Sequence, residues 1–301
     1  MAPRVVIAGV LALDDLKTPY KECKGIIGGA GIYSSVAASI FSETALVAAI
    51  GSDFPADIMK RIKSRGINVQ SVKKLDYPTF HWAGEYRDDM AQAITHETNF
   101  QINEYYDWEI SKEQRKIRTI LLCNNDPIIQ AKLLRQVQAE IVAMDTMNLW
   151  IDIRRNELNT VVSQVDILFI NDAEARLYSN LENLDDAAHK LLKMGPKYII
   201  IKKGEKGASF YSETYICHRP AYVVDKFVDP TGAGDSFAGA VIGYLANLDK
   251  INKENIITAM NYGAAVASIT VEGFGTERIM DMTKSEVEKR FKELNGGPGR
   301  I

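Results

Sequence analysis

The sequence is short of the features that announce several common protein classes. Among 301 residues there are three cysteines, Cys23, Cys123 and Cys217, with no CxxC pair and no Cys/His cluster. A disulfide framework and a zinc site are thereby set aside, and a reducing compartment is expected. No apolar run reaches the roughly 18 residues that a membrane span needs. Long basic runs are missing too, and the formal net charge is -3. Nucleic acid is therefore not expected as a partner, because phosphate backbones are held by clustered Lys and Arg. The opening MAPRVVIAGVLALDD imitates a short signal peptide, yet its apolar run passes into Asp14 and Asp15 without a small-residue cleavage site. It reads as a buried first strand, and the expected location is cytoplasmic, away from membranes.

What is present is ordinary globular composition, 46% hydrophobic and 25% charged, at a length that suits one domain with an inserted lobe. Apolar β-type runs fall at residues 5–9, 45–50, 119–123, 141–145, 167–170 and 198–201. Helical patterns fall at 30–41, 56–65, 127–138, 173–181, 185–194, 236–246 and 253–269. Such alternation implies an α/β chain whose parallel sheet is covered on both faces. Ligands collect at the carboxyl ends of such strands. Residues 78–100 break the rhythm and read as a hairpin around a polar turn at 87–90, with 16–27 adding strands beside it. A small projecting sheet of this kind serves as a lid over a site or as a homodimer contact. The Gly-rich end, 296–300, reads as a frayed tail.

The chemistry gathers around VDPTGAGDSFAGA, residues 228–240. It lacks the third glycine of a dinucleotide fingerprint and the Lys-Ser/Thr of a Walker loop. What remains is a turn over 231–234 leading to a helix that starts near Ser236. N–H groups at a helix start favour anions, and Gly232 and Gly234 allow close approach. Asp235 there is either an N-capping residue or a base beside an anion hole, an arrangement suited to phosphoryl transfer. Asn171 and Glu174 in NDAEA read in the same two ways, as a capping box or as carboxylate and amide near a water-rich Mg²⁺.

Together these segments resemble the ribokinase-like PfkB family of carbohydrate and nucleoside kinases, over nearly the whole chain and in the family's order. The resemblance implies one domain over 1–301, a three-layer αβα sandwich with a mostly parallel central sheet and a small β lid from about 11–27 and 76–103. Asp229, Gly232, Ala233, Gly234 and Asp235 match the family's C-terminal signature, making Asp235 the catalytic base and the Gly232–Asp235 backbone the anion hole. Asn171 and Glu174 match its metal and phosphate motif, acting through water. In IIIKKGEKGASFY, the turn with Lys202, Lys203, Gly204 and Gly207 would lie beside the nucleotide, with either lysine able to reach phosphates. Asn261 and Gly275 resemble its adenine-pocket wall. Gly28 and Gly29, with Gly31, match the first signature near substrate, and Asp14 falls where a substrate hydroxyl is bound. Asp229 also falls where some members bind a monovalent cation, so K⁺ joins ATP and Mg²⁺ among the expected cofactors.

Two positions depart from sugar kinases such as ribokinase. Tyr33 and Ala12 stand where that enzyme carries hydroxyl-reading Asn residues. Tyr33 with Phe80 and Trp82 is expected to form an aromatic wall. The expected activity is transfer of the γ-phosphoryl of ATP to a hydroxyl of a small sugar or polyol. A nucleoside is the alternative acceptor, and a non-catalytic small-molecule binder the alternative of another class.

Overall fold

Val5–Ala8 forms strand β1, and every residue in it is buried. Val5 and Ile7 enter one hydrophobic cluster, while Val6 and Ala8 enter another. A strand wetted on neither face belongs inside a parallel sheet. The computed structural model, which describes residues 3–87 and 93–296, builds that sheet. Its strands in chain order are β1, β2 (Ala12–Lys17), β3 (Glu22–Gly28), β4 (Thr44–Ile50), β5 (Asn68–Lys74), β6 (Phe80–Tyr86) and β7 (Ala93–Asn99). There follow β8 (Lys116–Leu122), β9 (Gln138–Asp145), β10 (Ile167–Asn171), β11 (Tyr198–Lys202), β12 (Ala208–Tyr211) and β13 (Ile216–Arg219).

One sheet runs β13-β12-β11-β10-β9-β8-β1-β4-β5. It is parallel from β5 to β11 and antiparallel only at the β12–β13 edge. All six strands expected from the sequence lie in it. The strands missed, β5, β12 and β13, lie at its margins, where β5 and β13 carry partly exposed polar residues that blur the pattern. A second sheet, β3-β2-β6-β7, is built from the two expected lid segments. Of its predicted turn, 87–90, residues 88–90 lie outside the described residues, as do 91–92 and the tail 297–301.

Helices cover both faces of the large sheet. Ala30–Ser39, Ala233–Leu245 and Lys253–Thr270 share one core, and Arg155–Val162, Asp172–Ser179 and Leu184–Leu192 share the other. The helix expected over 127–138 stops at Leu134, because β9 already begins at Gln138. Two glycines let the first pair of helices touch. A Cβ on Gly239 would stand 2.3 Å from the Ser34 carbonyl oxygen, and one on Gly243 would stand 2.7 Å from Ala38 Cα. With backbones that close, the Ser34 hydroxyl donates to the Asp235 carbonyl at 2.9 Å. Helix packing thus fixes the position of Asp235 in the first turn of its helix. Among the described residues no helix is long and apolar enough to cross a membrane.

Candidate active site

Parallel pairing brings the carboxyl ends of β9, β10 and β11 level. Asn171 is in register with Lys202, and Asp145 with Phe169. Above them comes the 229–235 turn. Asp229 is wholly buried; its Oδ1 accepts from the Thr231 N–H at 2.8 Å and its Oδ2 from the Gly275 N–H at 3.0 Å. The carboxylate therefore bolts the turn to a second loop, and the left-handed Gly275, φ 52°, supplies the N–H. Gly232 turns left-handed as well, φ 77°, and becomes the N-cap of the helix Ala233–Leu245.

This start lies three residues earlier than expected and changes the standing of Asp235. It is the third residue of the helix, no side chain caps that N-terminus, and the capping reading is withdrawn. The physical reason is Gly232: only a residue without Cβ takes this φ cheaply. The Ala233 N–H donates to the Pro230 carbonyl and the Ser236 N–H to the Gly232 carbonyl. Among the described residues the N–H groups of Gly234 and Asp235 have no acceptor. Unpaired donors at a helix start make an anion site.

One ammonium and three carboxylates sit against that helix start. Lys202 Nζ donates to Asp145 Oδ2 at 2.5 Å and stands 3.1 Å from where a Cβ on Gly234 would be. Burial alone would lower the Lys202 pKa, but Asp145, Glu174 and Asp235 together raise it, so it stays charged. Burial raises Asp145 against the pull of Lys202. Asp235 is pushed up to about 6 by burial and by Asp145, with Lys202 opposing. Glu174 rises to about 7, mainly by burial. Of the two sequence readings of Asn171 and Glu174, the capping box is present in the structure. The two close a capping box, at 2.9 and 2.8 Å, and Glu174 still interacts electrostatically with Lys202, Asp145 and Asp235.

Of the two lysines, Lys202 reaches the cluster. Lys203 uses its N–H to close the turn onto the Gly207 carbonyl at 2.8 Å. Gly204 (φ 56°) and Gly207 (φ 80°) shape that turn, and a Cβ on Gly207 would collide with the Arg219 carbonyl at 2.0 Å. The Asn261 amide is occupied elsewhere. It accepts from Arg219 Nε at 2.7 Å and donates to Asn295 Oδ1 at 2.7 Å, tying its helix to β13 and to the last helix.

From the second sheet comes Asp14, 4% exposed. Burial first, then Asp229, Asp15 and Asp235, push its pKa up to about 8. Its Oδ2 lies 1.9 Å from where a Cβ on Gly28 would stand, so only glycine fits beneath it. Gly29, φ 94°, is the N-cap of the helix that carries Tyr33.

The three rings of the expected aromatic wall, Tyr33, Phe80 and Trp82, have separate seats. The Tyr33 ring lies on Gly232, whose added Cβ would meet three ring atoms at 2.4 Å. Phe80 packs edge-on against Phe100. Trp82 covers Gly84 and donates from Nε1 to Thr95 Oγ1 at 3.1 Å. Each ring was drawn to its own glycine or aromatic neighbour, a preference invisible in composition.

Sequence reasoning missed Tyr86 at the end of β6. Its hydroxyl accepts from Thr231 Oγ1 at 3.4 Å, joining the second sheet to the turn. Burial raises its pKa to about 12. Only strand pairing brings it there, so no local signal marked it.

The donor set suits a nucleotide phosphate with Mg²⁺. Unpaired helix N–H groups and the Lys202 ammonium match phosphate oxygens. No group of three or more His, Cys, Asp or Glu encloses a metal among the described residues. Lone carboxylates such as Glu174 are what a Mg²⁺ that keeps its waters requires.

A family model described as pfkB family carbohydrate kinase matches residues 14–282. The chain is 29% identical over 252 residues to a cytidine kinase of Thermococcus kodakarensis, covering 82% of this chain and 88% of that one. The fold is similar to that of a Methanocaldococcus jannaschii nucleoside kinase described as an archaeal member of the ribokinase family. The TM-score is 0.77 at 20% identity, covering 96% and 98% of the two chains. An E. coli protein described as a ribokinase II, in complex with ATP and Mg²⁺, aligns with a TM-score of 0.75 at 20% identity, over 96% and 99%.

Proposed function

The chain belongs to the pfkB family of carbohydrate kinases and is an ATP-dependent phosphotransferase acting on a hydroxyl, and we propose that its acceptor is a nucleoside, with Asp235 as general base. The observation that carries the mechanism is the placement of Asp235 in the first helical turn, beside unpaired N–H groups and within the field of Lys202.

Asp235 takes the proton of the acceptor hydroxyl as that oxygen attacks the terminal phosphorus. A base near pH 6 is largely ionised at neutral pH yet still basic enough to accept the proton. The N–H groups of Gly234 and Asp235, on the turn opened by Gly232 and Ala233, hold the charge on the transferring phosphoryl. Lys202 adds a fixed positive charge on the same side. Mg²⁺, held through water near Asn171 and Glu174, would supply further neutralisation of phosphate charge. Asp14 accepts from a second hydroxyl of the acceptor. The nucleotide's other end is proposed to lie between the Gly204–Gly207 and Gly275 turns. Both oxygens of Asp229 already take N–H groups, so a K⁺ ion there would rely on neighbouring carbonyls. Exchanging K⁺ for Na⁺ without a rate change removes it.

A nucleoside is preferred to a free sugar because the cytidine kinase relative is 29% identical over 252 residues, against 20% identity for the ribokinase II structure. The second sheet covers the acceptor from water in this reading; a dimer contact through it is tested by sedimentation. The function is tested by incubating the protein with Mg²⁺-ATP and cytidine, inosine, adenosine, ribose or fructose, and identifying the product by mass spectrometry. A nucleoside monophosphate supports the proposal. Sugar phosphates alone, or ATP consumption with no acceptor modified, contradict it.

A further inference from the structure

Ser236 follows Asp235 in the chain and is wholly buried. Its hydroxyl donates to two carbonyls of the turn before it, Gly232 at 2.8 Å and Ala233 at 3.1 Å. Back-bonding of this kind is ordinary for a serine inside a helix. Its other partner is not local: Thr270, the last residue of the helix Lys253–Thr270. The Thr270 hydroxyl, also wholly buried, donates to Ser236 Oγ at 2.9 Å, with the Val266 carbonyl further off at 3.2 Å. The one Ser236 proton is thereby committed to the two carbonyls. Next along the chain, the Val271 carbonyl accepts from the Val228 and Asp229 N–H groups at 2.8 and 3.3 Å. One helix end thus holds both sides of the anion-binding turn, its entry through Val271 and its exit through Ser236.

The peptide that links Ala233 to Gly234 has its oxygen on Ser236, and its N–H has no acceptor among the described residues. A hydrogen bond accepted at one end of a peptide polarises it and strengthens the donor at the other. We propose that Ser236 is a positioning residue for phosphoryl transfer. Braced by Thr270, its hydroxyl orients and polarises the Ala233–Gly234 peptide, so that the Gly234 N–H meets the charge developing on the transferring phosphoryl. The inference rests on the kinase mechanism above and is independent of which acceptor is used. Back-bonding alone would leave Thr270 without a part in catalysis, so Thr270 separates the two accounts.

The test uses Ser236→Ala, Thr270→Val and Thr270→Ser, with any acceptor that the wild type phosphorylates. Losing a whole anion-hole donor costs on the order of 10²-fold, so weakening one should cost about tenfold in kcat. In Ser236→Ala, kcat should fall by that factor, with KM for Mg²⁺-ATP and for the acceptor within about twofold. Affinity for Mg²⁺-ADP with aluminium fluoride, which imitates the phosphoryl in flight, should fall in proportion to kcat. Thr270→Val should show a smaller loss of the same kind, and Thr270→Ser should keep wild-type values. Combining Ser236→Ala with Thr270→Val should add nothing to Ser236→Ala, because Thr270 acts through Ser236. Wild-type kcat in Ser236→Ala, or equal losses of affinity for the analogue and for Mg²⁺-ATP, overturns the inference. Should Ser236→Ala not fold, Thr270→Val decides, and unchanged analogue affinity in it overturns the inference. Full turnover by Asp235→Asn overturns the general-base reading alone, since binding of the analogue does not use the base.

Discussion

The Lys202 ammonium lies 2.5 Å from a buried Asp145 oxygen and rests against the glycine face of the helix that carries Asp235. The pair has two duties, holding β9 to β11 across β10 and placing one positive charge beside the anion-binding N–H groups. Lys202→Met should therefore cost both. Activity should fall on the order of 10²-fold, and stability by about 3–5 kcal/mol, because Asp145 is left as an uncompensated buried charge. Adding Asp145→Asn should restore most of the stability and none of the activity. Chemical denaturation with parallel ADP-release assays separates the two effects.

Gly28 is required by its neighbour's carboxyl group and not by its own dihedrals. A methyl at that position would overlap Asp14 Oδ2. Gly28→Ala should push the carboxyl group aside and raise the acceptor KM about tenfold or more, with a smaller change in KM for ATP. The steady-state split between the two substrates checks this.

The contact between Tyr86 and Thr231 closes the second sheet on the turn. Tyr86→Phe removes it without removing the ring. Acceptor-independent ATP hydrolysis should rise a few-fold as water gains access, which ADP release measured without acceptor would reveal.

Much of this arrangement was legible in the sequence. Buried Val/Ile runs identified β1, β4 and β8–β11, and GAGD identified the turn and its acid. Other features depend on long-range packing. The helix start at Ala233 follows from the conformation of Gly232, and the separate seats of Tyr33, Phe80 and Trp82 follow from which glycine or aromatic ring lies opposite each. Asn261, read as a pocket residue, is held by Arg219 and Asn295, which come from elements far along the chain. Tyr86 carries no motif at all.

Folding raises the Asp14 pKa from 3.8 to about 8. The folded state therefore keeps a proton that the unfolded chain releases above about pH 4. Stability from this group is full below pH 4 and is lost as pH rises through 8. Asp14→Asn should raise Tm by on the order of a few degrees at pH 8–9 and leave it unchanged near pH 4. Calorimetry at the two pH values decides it.

Asp235 titrates near 6 for the opposite functional reason: it must be ionised to act as a base. In the free enzyme kcat/KM for the acceptor should fall about tenfold per pH unit below pH 6. The most direct test of the account is Asp235→Asn, with ATP affinity and phosphoryl transfer measured on the same folded sample. The account predicts ATP binding within a few-fold of wild type and turnover reduced on the order of 10²-fold or more, with the acid limb of the pH profile gone. Near wild-type turnover in that variant, with its pH profile intact, would contradict it.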